Sequence, residues 1–92
     1  GYVCWVYNQN GYDVGRTTAN GLWQKSQHIS EAEAKPGDLV FFKGTYDTPG
    51  MSHVGIYLGN GKMVSAGDPI KYADIHSSYW QQYLAGFGRL SK

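Results

Sequence analysis

The sequence predicts an α+β domain in which short helices pack on one side of a small antiparallel sheet. Two observations indicate this class: helix-capping residues precede short segments in the first part of the chain, and β-prone runs separated by turn residues follow Pro36. The chain has 92 residues, of which 41 % are hydrophobic and 13 are glycine. This size and composition suit one small domain with many tight turns, extending over residues 1–92.

The first apolar run, Tyr2–Tyr7, is ambiguous between helix and strand. Its valines, tryptophan and tyrosines favour a strand, whereas Gly11 would suit the C-terminal cap of a helix. Either element would bury most of this run.

Two further segments carry helix signals. Thr17 or Thr18 is predicted to cap a short helix through ANGLWQKS, because a threonine hydroxyl can accept a free N–H of the first turn. Ser30 followed by EAEAK predicts one more helical turn, which Pro36 and Gly37 would stop.

The strands are predicted from Pro36 onwards. DLVFFK reads as a short strand, and SHVGIYLG and KMVSAG read as a hairpin joined by Asn60-Gly61, a pair that readily adopts the positive φ angles of a two-residue turn. Ser77 or Ser78 could cap a helix through YWQQYLAG, and FGRL would form the last strand.

Composition excludes several classes of function. The net charge is +1 and the basic residues are scattered, which argues against nucleic-acid binding. No apolar run reaches the ~20 residues of a membrane span, and no signal peptide is visible. No HExxH, CxxC or HxH pattern occurs, so we expect neither a metal site nor a cofactor. Because the first residue is Gly rather than Met, we expect the chain to be part of a longer polypeptide.

His53 is the best-placed candidate for a general base. It begins a predicted hairpin strand directly after a loop rich in Gly, Pro and Thr, a position where catalytic groups are commonly held. The alternative is a surface histidine, or one that is hydrogen-bonded for structural reasons.

The register of the hairpin determines which residue could orient His53. A two-residue turn would place Asp68 opposite His53. A three-residue loop over 59–61 would place Gly67 opposite, with Ser65 as a diagonal neighbour on the same face, ~7–8 Å away. The sequence leaves both alternatives open.

Cys4 is the only cysteine. A catalytic thiol needs a lowered pKa, usually from a helix N-terminus and an adjacent imidazole, whereas Cys4 lies inside an apolar run. We therefore expect a buried, inert core cysteine. The alternative, in which Cys4 acts with His53, requires an exposed and reactive thiol.

PGDLVFF and SHVGIYLGNGKM resemble the NlpC-type cysteine peptidases of bacterial cell walls, papain-like hydrolases that cut peptidoglycan stem peptides. GYVCWVY is similar to the first helix of that family and SYWQQYLAGFGRL to its closing helix and strand, so the resemblance covers nearly the whole chain. VGRTTANGL and GDPI look most like phage lysins and conjugative-element hydrolases of Gram-positive bacteria.

The resemblance implies roles for individual residues. The nucleophile of the family lies in an Asp-Cys-Ser-Gly motif at the start of its first helix; Gly1 matches the Gly of that motif, so the catalytic Cys would lie two positions before residue 1. His53 matches the general base. The usual place of the third, orienting residue is Ser65, where the family often has His, and Asp68 is a possible substitute.

The function implied by the resemblance is hydrolysis of a peptidoglycan amide bond through a cysteine thioester, with the bond between D-glutamate and a diamino acid as the expected target. The implied partner is a peptidoglycan peptide. We expect a monomer within a longer multidomain chain that is secreted, associated with the cell wall or delivered by a phage. The alternative is a catalytically inactive relative that binds the cell wall.

Overall fold

A computed structural model describes residues 2–65 and 70–92 of the chain. Its elements are α1 (Tyr2–Gln9), α2 (Ala19–Lys25), β1 (Gln27–Ile29), β2 (Leu39–Lys43), β3 (Met51–Gly59), β4 (Lys62–Ser65), β5 (Lys71–Asp74), α3 (Ser78–Gln81) and β6 (Leu84–Arg89). The strands form one antiparallel sheet in the order β1-β6-β2-β3-β4-β5, so the α+β class is confirmed. None of the described helices is long and apolar enough to cross a membrane.

The ambiguous first run is a helix, α1, because its apolar residues bury one helical face. Val3, Cys4 and Tyr7 are buried, whereas Trp5 is exposed. Gly11 is the glycine that ends the helix: its φ is +88°, and its N–H donates to the carbonyl of Asn8 at 3.4 Å. This left-handed glycine is the usual device for satisfying the last carbonyls of a helix.

Thr18 caps α2, as one of the two predicted threonines. Its side-chain oxygen accepts the N–H of Gly21 at 3.0 Å. The helical turn predicted after Ser30 is wrong: residues 31–33 form only a turn. Ser30 and Glu33 still exchange the two hydrogen bonds typical of a helix start, but Pro36 follows too closely for a helix to propagate.

The predicted strand DLVFFK and the predicted hairpin are present as β2, β3 and β4. The two edge strands, β1 and β5, were not predicted, because they are short and mostly exposed and show little hydrophobic alternation. The last helix is shorter than expected. Ser77 caps α3 by accepting the N–H of Trp80, but α3 has only four residues because β6 already begins at Leu84.

The centre of the sheet is buried on both faces. Leu39 and Phe41 of β2 face a cluster that includes α1 and α2 residues, and Val40 and Phe42 face a second cluster on the opposite side. The second cluster includes Trp80 of α3. The helices therefore lie on both sides of the sheet, with α3 opposite α1 and α2, which corrects the one-sided arrangement predicted above.

Candidate active site

The turn of the β3–β4 hairpin contains two residues, Asn60 and Gly61, both with positive φ (53° and 75°). Gly59 pairs with Lys62 directly beside the turn, as expected for a two-residue connection. The register then shifts at Leu58, where one extra residue of β3 bulges out of the ladder. Gly59, with a φ of +87°, allows this backbone path because it has no side chain.

The bulge sets the register of the candidate site. Beyond it, Gly55 pairs with Ser65, which makes Ser65 the diagonal neighbour of His53. The turn thus has two residues, the length that was predicted to place Asp68 opposite His53. The register is nevertheless the one predicted for a three-residue loop, with Ser65 diagonal to His53. Asp68, the other predicted orienting residue, lies outside the described residues.

His53 and Ser65 are in direct contact. The Nε2 atom of His53 lies 2.8 Å from the Oγ atom of Ser65. Ser65 is 9 % exposed and His53 is half-buried, so the pair lies partly out of contact with water. Burial lowers the pKa of His53 below its ordinary value of 6.5, because it disfavours the charged imidazolium. The side chain is therefore largely neutral at pH 7.

Aromatic rings surround the rest of the imidazole. Phe42, the cross-strand partner of His53 on β2, has its ring centroid 5.9 Å away. Trp80 of α3 stacks on the imidazole, with a centroid distance of 5.2 Å and an interplanar angle of 25°. Sequence analysis did not place Trp80 at the site. No local pattern could have done so, because only the tertiary fold brings α3 to β3.

Cys4 is a core residue. Its side chain is 4 % exposed, and its Sγ atom lies 3.7 Å from the carbonyl oxygen of Thr17. This burial agrees with the expectation of an inert thiol. The alternative in which Cys4 acts with His53 requires an exposed thiol, which the fold does not provide.

The other two histidines have partners elsewhere. His28 stacks on Trp23 at a centroid distance of 3.4 Å, and His76 lies 2.7 Å from a carboxylate oxygen of Glu31. Within residues 2–65 and 70–92, no three His, Cys, Asp or Glu side chains are grouped so that they could hold a metal ion. Of the three histidines, His53 is the one that combines partial burial with a buried hydroxyl partner.

Comparison with known proteins agrees with the fold and the sequence motifs. "Probable endopeptidase p60" of Listeria monocytogenes is 48 % identical over 91 residues, which cover 98 % of this chain and 18 % of that protein. The bifunctional muramidase/DL-endopeptidase CwlT of Bacillus subtilis is 45 % identical over 91 residues, covering 98 % of this chain and 27 % of CwlT. The chain therefore spans less than a third of the length of either relative.

A solved structure shows the same fold. The crystal structure of an NLP/P60-family lipoprotein-like protein from Staphylococcus aureus superposes with a TM-score of 0.91 at 41 % identity, covering 98 % of this chain and 30 % of that one. The expected closeness to phage lysins and conjugative-element hydrolases stays a prediction. The model of the NlpC/P60 family matches residues 1–89, and the chain belongs to that family.

Proposed function

We propose that this chain is the catalytic domain of a peptidoglycan endopeptidase that cuts stem peptides through a cysteine thioester, with His53 as general base. The observation that carries the proposal is the contact between the half-buried imidazole of His53 and the hydroxyl of Ser65, near one end of a central strand of an NlpC/P60 domain. Two relatives of this domain, p60 and CwlT, are named as endopeptidases, which supports the same activity here.

The proposed nucleophile is the Cys of the Asp-Cys-Ser-Gly motif, two positions before residue 1. The packing of α1 supports this location. Val3 and Cys4 of the first helical turn belong to the same core cluster as Val54, the residue directly after His53. α1 thus packs in the core cluster that also includes the residue following His53. The free N–H groups of that first turn would favour a thiolate there and stabilise the oxyanion formed later.

Ser65 gives the two ring nitrogens different roles in this proposal. If Nε2–H of His53 donates to Oγ of Ser65, Nδ1 carries the lone pair and can accept the proton of the thiol. The resulting thiolate attacks the amide carbon, the C–S bond forms and the carbonyl oxygen becomes an oxyanion. The imidazolium then gives its proton to the leaving amine as the C–N bond breaks.

The second half of the reaction uses the same residue. Nδ1 of His53 takes a proton from water, the hydroxide attacks the thioester, and the C–S bond breaks. The proton returns to the sulfur, so the enzyme is regenerated and one amide bond has been hydrolysed. A neutral resting imidazole suits both steps, because it can accept a proton at pH 7 without first losing one.

For the target bond we propose the amide between the γ-carboxyl of D-glutamate and the diamino acid of the stem peptide. The name of CwlT, a DL-endopeptidase, supports a bond between a D- and an L-residue. Because this substrate lies in the cell wall, we infer that the protein is secreted or wall-associated. We also infer a monomer that is one domain of a longer chain, since p60 and CwlT extend far beyond the matched region.

The test uses the full-length protein and purified peptidoglycan. Mass spectrometry of the released fragments should identify new N-terminal diamino acids paired with free D-glutamate γ-carboxyl groups. His53→Ala should abolish their release while the thermal unfolding temperature stays nearly unchanged. His28→Ala serves as the matched control, because it also removes an imidazole but leaves the candidate site intact.

Each outcome has a distinct meaning. Loss of cleavage in His53→Ala alone supports the proposal. Cleavage by His53→Ala at the wild-type rate would remove His53 from the mechanism. A wild-type protein that binds peptidoglycan but releases no fragments would be the inactive, cell-wall-binding relative instead.

A further inference from the structure

Helix α3 is too short to hold its position without tertiary contacts. It has four residues, none of them fully buried, and isolated helices of this length do not persist in water. Two hydrogen bonds secure its ends: Oγ of Ser77 accepts the N–H of Trp80 at 3.4 Å, and Nε2 of Gln81 donates to the carbonyl of Ile75 at 2.8 Å. The side chain that packs this helix against the second core cluster is Trp80.

The indole of Trp80 contacts a core ring and the imidazole of His53. Its centroid lies 4.6 Å from that of Phe42, which is completely buried, and 5.2 Å from that of His53. The indole is tilted by 50° against Phe42 but lies within 25° of the imidazole plane. Trp80 therefore connects a rigid part of the core to one face of the imidazole.

A single hydrogen bond does not fix an imidazole. The second side-chain torsion of histidine is broad and roughly two-fold, so a flip of the ring exchanges Nδ1 with Cδ2 and Nε2 with Cε1, which takes both nitrogens away from their partners. The hydrogen bond to Ser65 opposes the flip only modestly, because it is one ordinary hydrogen bond. The indole of Trp80, 5.2 Å away and within 25° of the imidazole plane, adds to that resistance, because a flipping imidazole turns towards the space that the indole occupies.

We propose that Trp80 is a positioning residue for the reaction: its stacked ring holds the imidazole of His53 in the orientation in which Nε2 meets Ser65 and Nδ1 is directed to the nucleophile. The catalytic consequence rests on the function proposed above. The orientation of the ring itself does not, and it can be measured without substrate.

A second Trp–His stack provides an internal control. The ring centroid of Trp23 of α2 lies 3.4 Å from that of His28 with an interplanar angle of 13°, and the other aromatic partner described for Trp23 is Phe41. The partner of Nε2 in His28 is the carbonyl of Trp23 at 2.9 Å, not a side-chain hydroxyl. A substitution of Trp23 removes an equally large aromatic ring but leaves His53 as it is.

The experiment compares Trp80→Leu, Trp80→Phe and Trp23→Leu in the full-length protein labelled with ¹⁵N-histidine. The His53 signals are assigned by their loss in His53→Gln. We expect one tautomer in the wild type, protonated at Nε2, and averaged nitrogen shifts in Trp80→Leu. Turnover of peptidoglycan should fall about 10- to 100-fold in Trp80→Leu, as for other misplaced catalytic groups. Trp80→Phe should stay within a few-fold of wild type, and Trp23→Leu should change neither readout.

The two readouts separate the possible failures. Unchanged ¹⁵N shifts in a folded Trp80→Leu variant would overturn the positioning role, whatever its turnover. If Trp80→Leu does not fold, Trp80→Phe decides: a turnover loss of about tenfold or more in this variant, which keeps an aromatic ring, would contradict stacking as the cause. Absence of cleavage by the wild type, with a single His53 tautomer that is lost in Trp80→Leu, would refute the proposed function but keep the positioning role.

Discussion

The two ends of the β2–β3 strand pair differ in how many hydrogen bonds their titratable side chains accept or donate. At one end, here called the Asp38 end, the carboxylate of Asp38 accepts hydrogen bonds from Nε and Nη2 of Arg89 at 2.9 and 2.7 Å and from the N–H of Lys35 at 2.8 Å. At the other, the His53 end, the imidazole has one hydrogen bond within the described residues, to Ser65, and aromatic neighbours.

The backbone extends this contrast. At the Asp38 end the carbonyl of Asp38 accepts the N–H of Tyr57 at 2.7 Å, the N–H of Gly37 donates to the carbonyl of Tyr57 at 2.8 Å, and the hydroxyl of Tyr7 on α1 donates to the carbonyl of Gly37. A helix, a turn and three strands meet there. The many hydrogen bonds at the Asp38 end hold these elements together. The one hydrogen bond described for His53 leaves its other ring nitrogen able to exchange a proton.

The two titratable groups shift in the same direction for different reasons. Burial by itself raises the pKa of Asp38. The hydrogen bonds from Arg89 and Lys35, together with their positive charges, lower it by more, so the net pKa is lowered and the carboxyl stays ionised well below neutral pH. The pKa of His53 is lowered by burial itself. One end therefore favours the charged form of its titratable group and the other favours the neutral form, which is the division that the proposed function requires.

Removing the charge at the Asp38 end should have the largest effect on stability. Asp38→Ala should lower the free energy of unfolding by about 2 kcal/mol, because charge-assisted hydrogen bonds are lost at a buried position. Turnover per folded molecule should not change. Urea denaturation and a peptidoglycan cleavage assay measure the two quantities.

Lys62→Ala is the control for the Asp38 prediction. Lys62 forms an ion pair with Asp74 at 3.1 Å, but both side chains are about half-exposed, so its loss should barely change stability. If Asp38→Ala reduced the turnover of folded molecules, the division between the two ends would be wrong.

Ser65→Ala should affect turnover more than stability. The variant loses one hydrogen bond to His53, worth about 1 kcal/mol, and with it the preference for one orientation of the ring. A loss of that size in the transition state corresponds to a turnover reduction of roughly fivefold. Kinetics and thermal unfolding on the same preparation test both parts.

Asp68→Ala is the companion variant, because Asp68 was the alternative orienting residue. If Ser65 orients the ring, Asp68→Ala should cleave at the wild-type rate. Wild-type turnover in Ser65→Ala together with a loss in Asp68→Ala would transfer the orienting role to Asp68.

The burial of neutral His53 should appear in the pH dependence of stability. Because its pKa is lower in the folded chain than in the unfolded one, the unfolded chain binds the proton more readily. Stability should therefore fall as the pH drops below about 6.5, until the folded pKa is passed. His53→Gln should remove this part of the loss between about pH 7 and pH 5.

Asp38 should act in a lower pH range. Its stabilising contribution is present above the unfolded pKa of about 4 and is lost as the pH falls through its lowered folded value. Chemical denaturation at several pH values separates the two residues. Parallel stability curves for wild type and His53→Gln would show that His53 is not buried in its neutral form.

Local signals in the sequence were sufficient to predict the scaffold of the site. The β-prone runs of β3 and β4 and the Asn60-Gly61 turn predict the hairpin, and Thr17 or Thr18 predicts the start of α2, whereas the run before Gly11 was ambiguous between helix and strand. Edge strand β5 was not predictable in this way, since its residues are mostly exposed and follow no clear period.

The geometry of the site depends on features that are not local. The bulge at Leu58 changes the register by one residue and so brings Ser65 to His53, and no turn rule applied to Asn60-Gly61 alone gives that result. The contact between Trp80 and His53 depends on the end of α3 at Gln81 and the early start of β6. Both are decided by packing across the sheet.

A substitution of Cys4 should have the smallest effect on turnover. It tests the comparison because Cys4 is a core residue that the proposed mechanism does not use. Cys4→Ala should keep wild-type turnover and lose about 1 kcal/mol of stability, as is typical of a small change in a core. Iodoacetamide at about pH 6 should label one thiol quickly in the full-length protein and the same thiol in Cys4→Ala, because the buried thiol of Cys4 is shielded from the reagent. Peptide mass mapping should place the fast label just before Gly1. If the fast label disappeared in Cys4→Ala together with cleavage, the helix α1 would have to open to expose Cys4, and the nucleophile would be inside the described chain after all.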